Sequence, residues 1–593
     1  MPDDIRPLPP RPDDEALRQA VEGAPVRAAG DGGSFVAAGA GDPGECPVVA
    51  LGHHDGRYFF LSASGEKRVM AVRDMTANGL LSLFAGDSSW LIEHYPAVDK
   101  MGNDIDDFLP RLVVGYLIRA CERAGVFDPD MRLRGRGVWR GLPGADGRPA
   151  AVVHVGDRVG RVEAGAVYWN APGWREGAVV YPSAPRMDPP LFDTPAAVGD
   201  GQTLLDHFRL WKFIDPADAD LFLGWAAVAL LSGYPKWRAH AQVAAEHGAG
   251  KSALCELLEA LCGPMGVPMN GFSEAGVRQA LSDEARVVLL DEAEGDATGA
   301  MQQVIGLIRR MSGSTGANVS KGSPGGLVQR FTVIGCALMA GINPPPLAPQ
   351  DRSRILRFDI LKATSDPAAA ARVDAAITWA RKMSGRFRAR VLLGAQRFAG
   401  AVDAYRAALM AAQCDGRQAD VLAVALAGRD LLLYDDPPDS DSMEEVVGSL
   451  AARIASMRAD DREDNDAQQC LNHLMTFIPD HWRSGTRATV GDLIAEARTE
   501  PKGEGENGKA LRTYGMRIEM DDIGTPFLLV ANRHGGLRRI FHGTRWAEGG
   551  WVGTLRRLGT DVTATEETKR FAGGVSRATR IPANYLPWVE ESG

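Results

Sequence analysis

A glycine-rich segment near the middle of the sequence contains the residue types that bind phosphate groups. The segment reads Glu-His-Gly-Ala-Gly-Lys-Ser, and its binding residues are Gly248, Ala249, Gly250, Lys251 and Ser252. Glycines let consecutive backbone N–H groups approach phosphates, the lysine neutralises the terminal phosphates, and the serine hydroxyl binds Mg²⁺. An apolar strand-like run, 240–245, precedes the segment, and a helical pattern follows it. The segment therefore predicts a nucleotide site with ATP and Mg²⁺ as ligands.

One position in this segment departs from the general phosphate-loop pattern. The pattern GxxxxGK[ST] has glycine where this sequence has Ala245. Alanine is a small change, and the Gly-x-Gly-Lys-Ser end is intact. A chance Gly-Lys-Ser turn is the alternative interpretation, and the flanking strand and helix favour the phosphate loop.

A second pair of reactive side chains, Asp291 and Glu292, ends the apolar run that starts at Arg286. Such a run is typical of a buried parallel strand, and ligands bind at the carboxyl ends of these strands. We expect Asp291 to hold Mg²⁺ together with Ser252, and Glu292 to polarise the attacking water. Combined with Lys251, the pair predicts hydrolysis of ATP as well as binding.

Polar residues also follow a third apolar segment, 331–344. Asn343 at its end would orient water against the γ-phosphate, and the alternative is an ordinary turn before proline. Arg352 and Arg354 come next and could reach the nucleotide of a neighbouring subunit as arginine fingers. A solvated basic loop is the alternative for these arginines.

The elements that must position these side chains predict an α/β P-loop NTPase with a parallel sheet and helices on both faces. An α+β domain is expected before it, and a helical plus winged-helix-like region after it. The predicted divisions are a flexible N-terminus (1–43), the α+β domain (44–195), a helical segment (200–234), the ATPase core (235–365), a helical region with acidic linkers (366–484) and a locally basic winged-helix-like domain (485–593).

The basic C-terminal domain allows two interpretations. Its arginines and lysines alternate with Phe541, Trp546, Trp551 and Phe571, which suits phosphate contacts with some base stacking. The alternative is a basic face that docks on the acidic helical segments of the same chain.

Composition narrows the class of protein further. The 593 residues are 45% hydrophobic and 24% charged, and the net charge of −10 argues against a protein coated in nucleic acid. The seven cysteines form no CxxC pair, which predicts a reducing compartment, here the cytoplasm of a bacterial host. No segment predicts a secretory signal or a membrane span, so no membrane partner is expected.

Polymerase-type primase chemistry needs paired metal-binding carboxylates, and two segments contain acidic or histidine side chains that bear on it. Asp104, Asp106 and Asp107 are interpreted as the acidic start of a helix. His154 is interpreted as a structural histidine on a strand. Priming activity is therefore not predicted.

The order of phosphate loop, Asp-Glu strand, Asn-ended strand and arginine pair resembles that of an AAA+ ATPase. The short spacing resembles the superfamily-three helicases. Two tracts, IRRMSGSTGANVSKGSPGGLVQRFTVIGCALMAGINPPP and KRFAGGVSRATRIPANYL, resemble phage and plasmid primase-helicase proteins related to the poxvirus primase-helicase. The resemblance covers roughly residues 200–365, and 485–590 less specifically.

The resemblance implies an ATP-dependent DNA helicase or translocase of a phage- or plasmid-type replication module. It implies a homo-oligomeric ring, with a hexamer favoured, that has ATP sites between subunits. The DNA would be single-stranded or forked, and other replication proteins are expected partners. A hairpin before the Asn-ended strand would grip the DNA, and its matching residue is Lys321 in the turn 320–323. An exposed loop lysine is the alternative for Lys321.

Two other functions use the same motifs. One is an AAA+ loader or remodelling ATPase that binds DNA or a replication protein without unwinding. The other is a scaffold that binds nucleotide without hydrolysing it, which the intact Lys251, Ser252, Asp291 and Glu292 disfavour. The sequence leaves open the polarity of movement, the ring size, the DNA sequence served and the role of residues 44–195.

Overall fold

The computed structural model describes residues 45–295, 299–322, 328–362, 367–463, 466–479, 488–500 and 505–586. The predicted N-terminal segment 1–43 lies outside these residues. The seven cysteines are all free thiols. Within the described ranges, every helix is too short or too polar to cross a membrane.

The described chain begins with a three-stranded antiparallel sheet, β1–β2–β3, and a hairpin, β4–β5, around short helices. These elements are β1 (Val49–His54), β2 (Arg57–Leu61), β3 (Lys67–Met70), α1 (Ala77–Leu83), α2 (Ser89–His94), β4 (Pro96–Val98), β5 (Asp104–Phe108), α3 (Pro110–Ala124) and α4 (Pro129–Arg132). The prediction for Asp104, Asp106 and Asp107 was wrong, because they lie on β5. The helix begins later, at Pro110, whose fixed φ suits a first helical position.

A four-stranded antiparallel sheet, β6–β7–β8–β9, and a small ribbon follow. Their strands are β6 (Gly137–Pro143), β7 (Pro149–His154), β8 (Val159–Glu163), β9 (Ala166–Asn170), β10 (Arg175–Glu176) and β11 (Val179–Val180). His154 is fully buried, with its Nε2 2.6 Å from the Pro182 carbonyl, while its Nδ1 accepts a hydrogen bond from Gly156 N. Burial lowers the pKa of His154 to about 4. The ring is therefore neutral and structural.

The central sheet has six strands in the order β12–β19–β13–β18–β15–β14. Its region contains α5 (Val198–Phe208), β12 (Lys212–Phe213), α6 (Asp218–Leu231), β13 (His240–Ala245), α7 (Lys251–Cys262), β14 (Gly266–Met269), α8 (Glu274–Ala280), β15 (Val287–Leu290), α9 (Ala300–Met311), β16 (Ala317–Gly322), β17 (Val328–Val333), β18 (Ala337–Gly341), α10 (Pro349–Arg352) and β19 (Ile355–Leu361). Five strands are parallel, and only the edge strand β12 is antiparallel. The α/β class is confirmed.

Both faces of this sheet are buried, as expected for parallel strands. Along β15, Val287 and Leu289 pack into one core cluster, whereas Val288 and Leu290 pack into another. The first cluster includes α6 and α7, and the second includes α8 and α9. Alternate side chains of a strand point to opposite faces, so this division shows helices covering both sides.

The predicted third strand over 331–344 is divided between two sheets. Its first residues belong to β17, which pairs with β16 in a separate antiparallel hairpin, and only β18 joins the central sheet. Gly335 separates the two strands with a φ of 155°, and a Cβ there would collide with the Arg286 carbonyl. Lys321 is also placed differently from the prediction, because it lies on β16 and not in a turn.

Helices dominate the next part of the chain, and they share the ATPase core. They are α11 (Pro367–Leu393), α12 (Ala395–Ala411), α13 (Gly416–Leu433), α14 (Ser440–Ser449) and α15 (Ala451–Glu463). Gly224 of α6 and Gly428 of α13 let these two helices touch backbone to backbone, since a Cβ on either would overlap the other helix. The helical region therefore packs directly against the nucleotide-binding part of the chain.

The C-terminal part has a hydrophobic core of its own. It contains α16 (Asp466–Thr476), α17 (Val490–Ala497), α18 (Glu506–Thr513), β20 (Met516–Met520), β21 (Pro526–Ala531), α19 (Gly535–Ile540), α20 (Gly550–Leu555), β22 (Thr563–Ala564), β23 (Lys569–Phe571), β24 (Gly574–Ser576) and β25 (Ala578–Pro582). One sheet has the order β20–β21–β25–β22, and β23–β24 form a separate hairpin.

Candidate nucleotide site

The phosphate-loop residues connect the buried strand β13 to helix α7. Gly248 and Gly250 have φ values of 81° and 83°, a left-handed conformation that glycine adopts without strain. Ala245, the residue that departs from the pattern, is the buried last residue of β13. The loop thus turns sharply at glycines and leads directly into the first turn of a helix. This is the backbone arrangement that binds anionic phosphates.

Lys251 and Asp291 meet at the carboxyl edge of the sheet. Lys251 Nζ lies 2.6 Å from Asp291 Oδ1, although the two residues are 40 positions apart. The Lys251 side chain is 12% exposed, so the ammonium is mostly enclosed. Because β13 and β15 both flank β18, their carboxyl ends bring the phosphate lysine and the acidic pair together. The sequence prediction placed these residues in one site, and their geometry agrees with it.

Glu292 follows Asp291 with an unusual backbone conformation. Its φ is 60°, which a non-glycine residue rarely adopts, and its N–H donates to Asp291 Oδ1 at 2.8 Å. The residue is exposed. The left-handed conformation turns the chain immediately after β15, and such strained positions cluster at functional sites.

Glu294, which the sequence prediction missed, ties this turn to the end of β18. Its carboxylate accepts hydrogen bonds from Ile342 N at 2.7 Å and Asn343 N at 3.0 Å. Gly295 N in turn donates to the Asn343 carbonyl at 3.2 Å. These hydrogen bonds place Asn343 beside the Asp-Glu turn, and the residue is exposed there. No pattern in the sequence links a glutamate at 294 to backbone groups 48 and 49 residues away.

Trp211 contacts the phosphate loop and Lys362 lies near it, and both are outside the recognised motifs. Trp211 Nε1 donates to the Gly250 carbonyl at 2.9 Å, and a Cβ on Gly250 would lie 3.0 Å from that nitrogen. Lys362 follows β19, and a Cβ on Gly248 would lie 3.8 Å from its Nζ. The tryptophan supports the loop, and the lysine adds a second positive charge at its edge. No motif in the sequence links either residue to the phosphate loop.

The oxygen donors at this site fit Mg²⁺. Ser252 is the second residue of α7, and Asp291 lies across the sheet edge, so a hydroxyl and a carboxylate are available. Mg²⁺ prefers oxygen ligands and is commonly held by one or two protein groups together with substrate phosphates. Among the described residues no cluster of three His, Cys, Asp or Glu forms a metal cage. A cation held mainly by the nucleotide suits this donor set.

Arg352 and Arg354 lie at the opposite end of the sheet from the phosphate loop. The Arg354 carbonyl accepts a hydrogen bond from the N–H of His240, which is the first residue of β13. The phosphate loop follows Ala245, which is the last residue of that strand. A six-residue strand separates these ends by roughly 17 Å. Arg352 Nε donates to the Leu347 carbonyl at 3.0 Å, and the Arg354 guanidinium stands 5.3 Å from the Trp237 ring centroid. The arginines are therefore remote from the phosphate loop of their own chain.

The β16–β17 hairpin also belongs to the amino end of the sheet. Ile334, directly after β17, bridges Ala285, which precedes β15. Lys321 pairs with Gln329 across the hairpin, near the end that leads to residues 323–327. Those residues lie outside the part that the structure describes. The amino end of the central sheet thus carries the hairpin and the arginine pair. The carboxyl end of the sheet carries the candidate nucleotide-binding residues.

The basic residues of the C-terminal part divide into two groups. Arg545 and Arg557 each lie 3.0 Å from the carboxylate of Asp466 on α16 and are therefore paired within the chain. Arg533, Arg538 and Arg539 are exposed, and no described acidic side chain pairs with them. The predicted stacking residues are all buried: Phe541, Trp546, Trp551 and Phe571 belong to the core cluster. The expectation of base stacking by these four residues was therefore wrong.

No family model matches the sequence, and a search of curated proteins finds no match. Among solved structures, SCCmec type IV Cch, described as an active helicase, aligns over 91% of this chain and 94% of its own, with 12% identity and a TM-score of 0.46. The NrS-1 C-terminal region aligns over 72% and 94%, with 12% identity and a TM-score of 0.29. A full-length MCM homolog from Methanopyrus kandleri aligns over 53% and 76%, with 16% identity and a TM-score of 0.27. At these values the similarities define neither a family nor an activity.

Proposed function

We propose that this protein is an ATP-dependent DNA helicase or translocase, of AAA+ type and from a phage- or plasmid-type replication module in a bacterial cytoplasm. The observation that carries the proposal is the 2.6 Å contact between Lys251 and Asp291 at the carboxyl edge of a parallel sheet. Two separate sequence segments converge there on one phosphate-binding loop. This convergence supports hydrolysis of a nucleoside triphosphate, because charge neutralisation and metal binding are required at the same place.

Each residue has a distinct role in the proposed reaction. Backbone N–H groups of residues 248–252 and the Lys251 ammonium bind the β- and γ-phosphates. Ser252 and Asp291 would hold Mg²⁺, and the ion would supply charge neutralisation at the phosphates. Glu292 accepts a proton from the attacking water, and Asn343 orients that water. Glu294 keeps Asn343 beside the Asp-Glu turn through its two backbone hydrogen bonds.

The separation of Arg352 and Arg354 from their own phosphate loop supports a shared site in a ring, for which we favour a hexamer. Arginines at the amino end of one subunit's sheet would complete the site of the next subunit. The hairpin that carries Lys321 shares that end, so nucleotide-dependent movement between subunits would be passed to single-stranded or forked DNA. Other replication proteins are proposed as partners of such a ring.

Strand displacement tests this function most directly. Purified protein with ATP and Mg²⁺ is expected to unwind a forked duplex and to hydrolyse ATP faster when single-stranded DNA is present. Lys251→Ala should abolish both activities, whereas Lys100→Ala, at an exposed lysine outside the site, should abolish neither. DNA-stimulated hydrolysis without strand displacement would instead identify a loader or remodelling ATPase. Wild-type protein whose hydrolysis does not respond to DNA would contradict the proposal.

A further inference from the structure

A groove in the C-terminal part lies between α19 and the β23–β24 hairpin. Its lining residues lie within 513–576, more than 200 positions after the ATP motifs in the sequence. Its volume is about 510 Å³. The charged side chains that line it are Arg533, Arg538 and Arg539, and no Asp or Glu is among the described residues of its wall. We name it the arginine groove. In a chain with a net charge of −10, three arginines without an acidic residue form a distinct local surface.

Hydrogen bonds to backbone groups fix both walls of the arginine groove. His534 Nδ1 accepts from Gly536 N at 3.1 Å, and its Nε2 donates to the Ala572 carbonyl in the hairpin turn at 2.7 Å. The Ser576 hydroxyl accepts from Arg533 N at 3.0 Å. One histidine and one serine therefore join the helix to the hairpin. The width of the groove is set before any ligand arrives, which lowers the entropic cost of binding.

The three groove arginines are available for a ligand, because each is exposed and has no side-chain ion pair among the described residues. Three other basic residues of the C-terminal part are instead paired with carboxylates. Lys569 lies 3.2 Å from Glu519, and Arg545 and Arg557 share Asp466. The basic residues that pair with acidic side chains of the same chain are thus different from the three groove arginines. The arginine groove therefore leaves three guanidinium groups available to an anionic partner from another molecule.

The aromatic residues decide which anionic polymer fits. Proteins that bind single strands stack bases on exposed aromatic rings. Here Phe571 lines the groove but is only 4% exposed, and Trp546 and Trp551 are in the core. The surface therefore offers guanidinium contacts to phosphates and little surface for base stacking. Phosphate contacts of this kind suit a duplex, whose bases are paired and whose backbone is outside.

We propose that the arginine groove binds the phosphate backbone of duplex DNA. Arg533, Arg538 and Arg539 donate hydrogen bonds to phosphate oxygens, and the β23–β24 hairpin, with the exposed Val575 on β24, lies against the duplex. The choice of DNA rests on the proposed function. The binding site itself is separate from the ATP site and needs no nucleotide.

Equilibrium binding of the full chain to a labelled duplex, without ATP, tests the proposal. The triple variant Arg533→Gln, Arg538→Gln and Arg539→Gln should bind at least about tenfold more weakly. Its slope of log affinity against log salt should fall by up to about 2.7, since each phosphate contact contributes about 0.9. The matched control replaces Arg111, Arg119 and Arg123, three exposed arginines of α3, by Gln and should bind like the wild type.

Two further variants separate loss of contacts from loss of folding. Replacing the three groove arginines by Lys keeps the charges and should keep the salt slope. Val575→Glu adds a negative charge at a side chain that is 66% exposed and should weaken duplex binding at an unchanged melting temperature. Wild-type duplex affinity and slope in both the Gln and Glu variants would overturn the proposal. It would also fail if the Gln variant lost only single-stranded binding, or if wild-type protein bound polyglutamate through these arginines but not the duplex.

The same measurement distinguishes failure of this proposal from failure of the proposed function. Lys251→Ala should bind the duplex like the wild type, because its change lies in the phosphate loop. If strand displacement is absent but duplex binding depends on the groove arginines, the groove stands and the helicase function does not.

Discussion

Lys251 in the phosphate loop has an anionic partner within the chain, whereas the three arginines of the C-terminal groove have none among the residues that the structure describes. The loop lysine is mostly enclosed and bonded to Asp291. The groove arginines are exposed, and no described carboxylate faces them. Both regions present positive charge that could bind phosphate groups. In the loop the charge is enclosed and paired, whereas in the groove the charges are exposed.

The two proposed ligands, a nucleotide and the backbone of duplex DNA, account for this difference. A nucleotide must be held in one geometry for its bond to be cleaved, so backbone N–H groups, a lysine and two carboxylates are fixed around one position. A polymer backbone needs only positive charge at a suitable spacing, and binding gains from released counterions. Enclosed charges are screened less by salt than exposed ones.

The largest expected effect comes from removing the lysine of the phosphate loop. Lys251→Ala should lower the rate of ATP hydrolysis by on the order of 10³-fold or more, because the charge that forms on the phosphates loses a fixed donor. Steady-state phosphate release measures this change. Duplex affinity should not change, and a shared loss of both activities would mean that the two regions are not independent.

Glu292→Gln should separate nucleotide binding from hydrolysis. The amide cannot accept the proton of the attacking water, so the rate constant should fall by on the order of 10²-fold. Affinity for ATP, measured by calorimetry, should be retained because Lys251 and Asp291 remain. Glu259→Gln, at an exposed position of α7, is the matched control. A variant with unchanged hydrolysis would assign the base to another residue.

Salt should act very differently on the two regions. Raising salt from 50 to 200 mM should weaken duplex binding on the order of 40-fold if three phosphate contacts are made. The KM for ATP should change by less than about threefold, because the loop charges are enclosed. Titrations of both ligands over the same salt series give the comparison. Equal salt dependence would remove the distinction drawn between the two regions.

Lys362→Ala tests the second positive charge beside the phosphate loop. We expect the KM for ATP to rise about fivefold with little change in kcat, because an exposed lysine at the loop edge contributes to binding about 1 kcal/mol. Lys362→Arg should restore much of the affinity. The control is Lys382→Ala, at an exposed lysine of α11. A fall in kcat without a change in KM would instead place Lys362 in the chemical step.

Arg545→Gln should give the smallest effect, on stability alone. Arg545 lies 3.0 Å from Asp466, and both side chains are partly exposed, so the ion pair contributes less than about 1 kcal/mol to the free energy of unfolding. Thermal unfolding should show a small decrease in melting temperature, with wild-type duplex affinity. Loss of duplex binding in this variant would extend the binding surface beyond the arginine groove.

The parallel core and its phosphate loop could be predicted from the sequence because they depend on local patterns. Continuous apolar runs identify buried strands, and glycines next to lysine and serine identify the loop. The predicted third strand was only partly right, since Gly335 divides it between two sheets. A local apolar run does not reveal which partner each half pairs with. The prediction that a helix starts at Asp104 was wrong for the same reason, because pairing with β4 makes that segment a strand.

The sequence by itself determined the candidate residues: Lys251 and Ser252, like Asp291 and Glu292, are recognisable because each pair belongs to a short local motif. Only the tertiary structure decided which other residues join them, and Glu294, Trp211 and Lys362 reach the site from distant segments. It also divided the C-terminal arginines into paired and exposed groups, which look alike in sequence. The reason is physical, since a motif is contained in neighbouring residues, whereas ion pairing and burial depend on which segments the fold brings together.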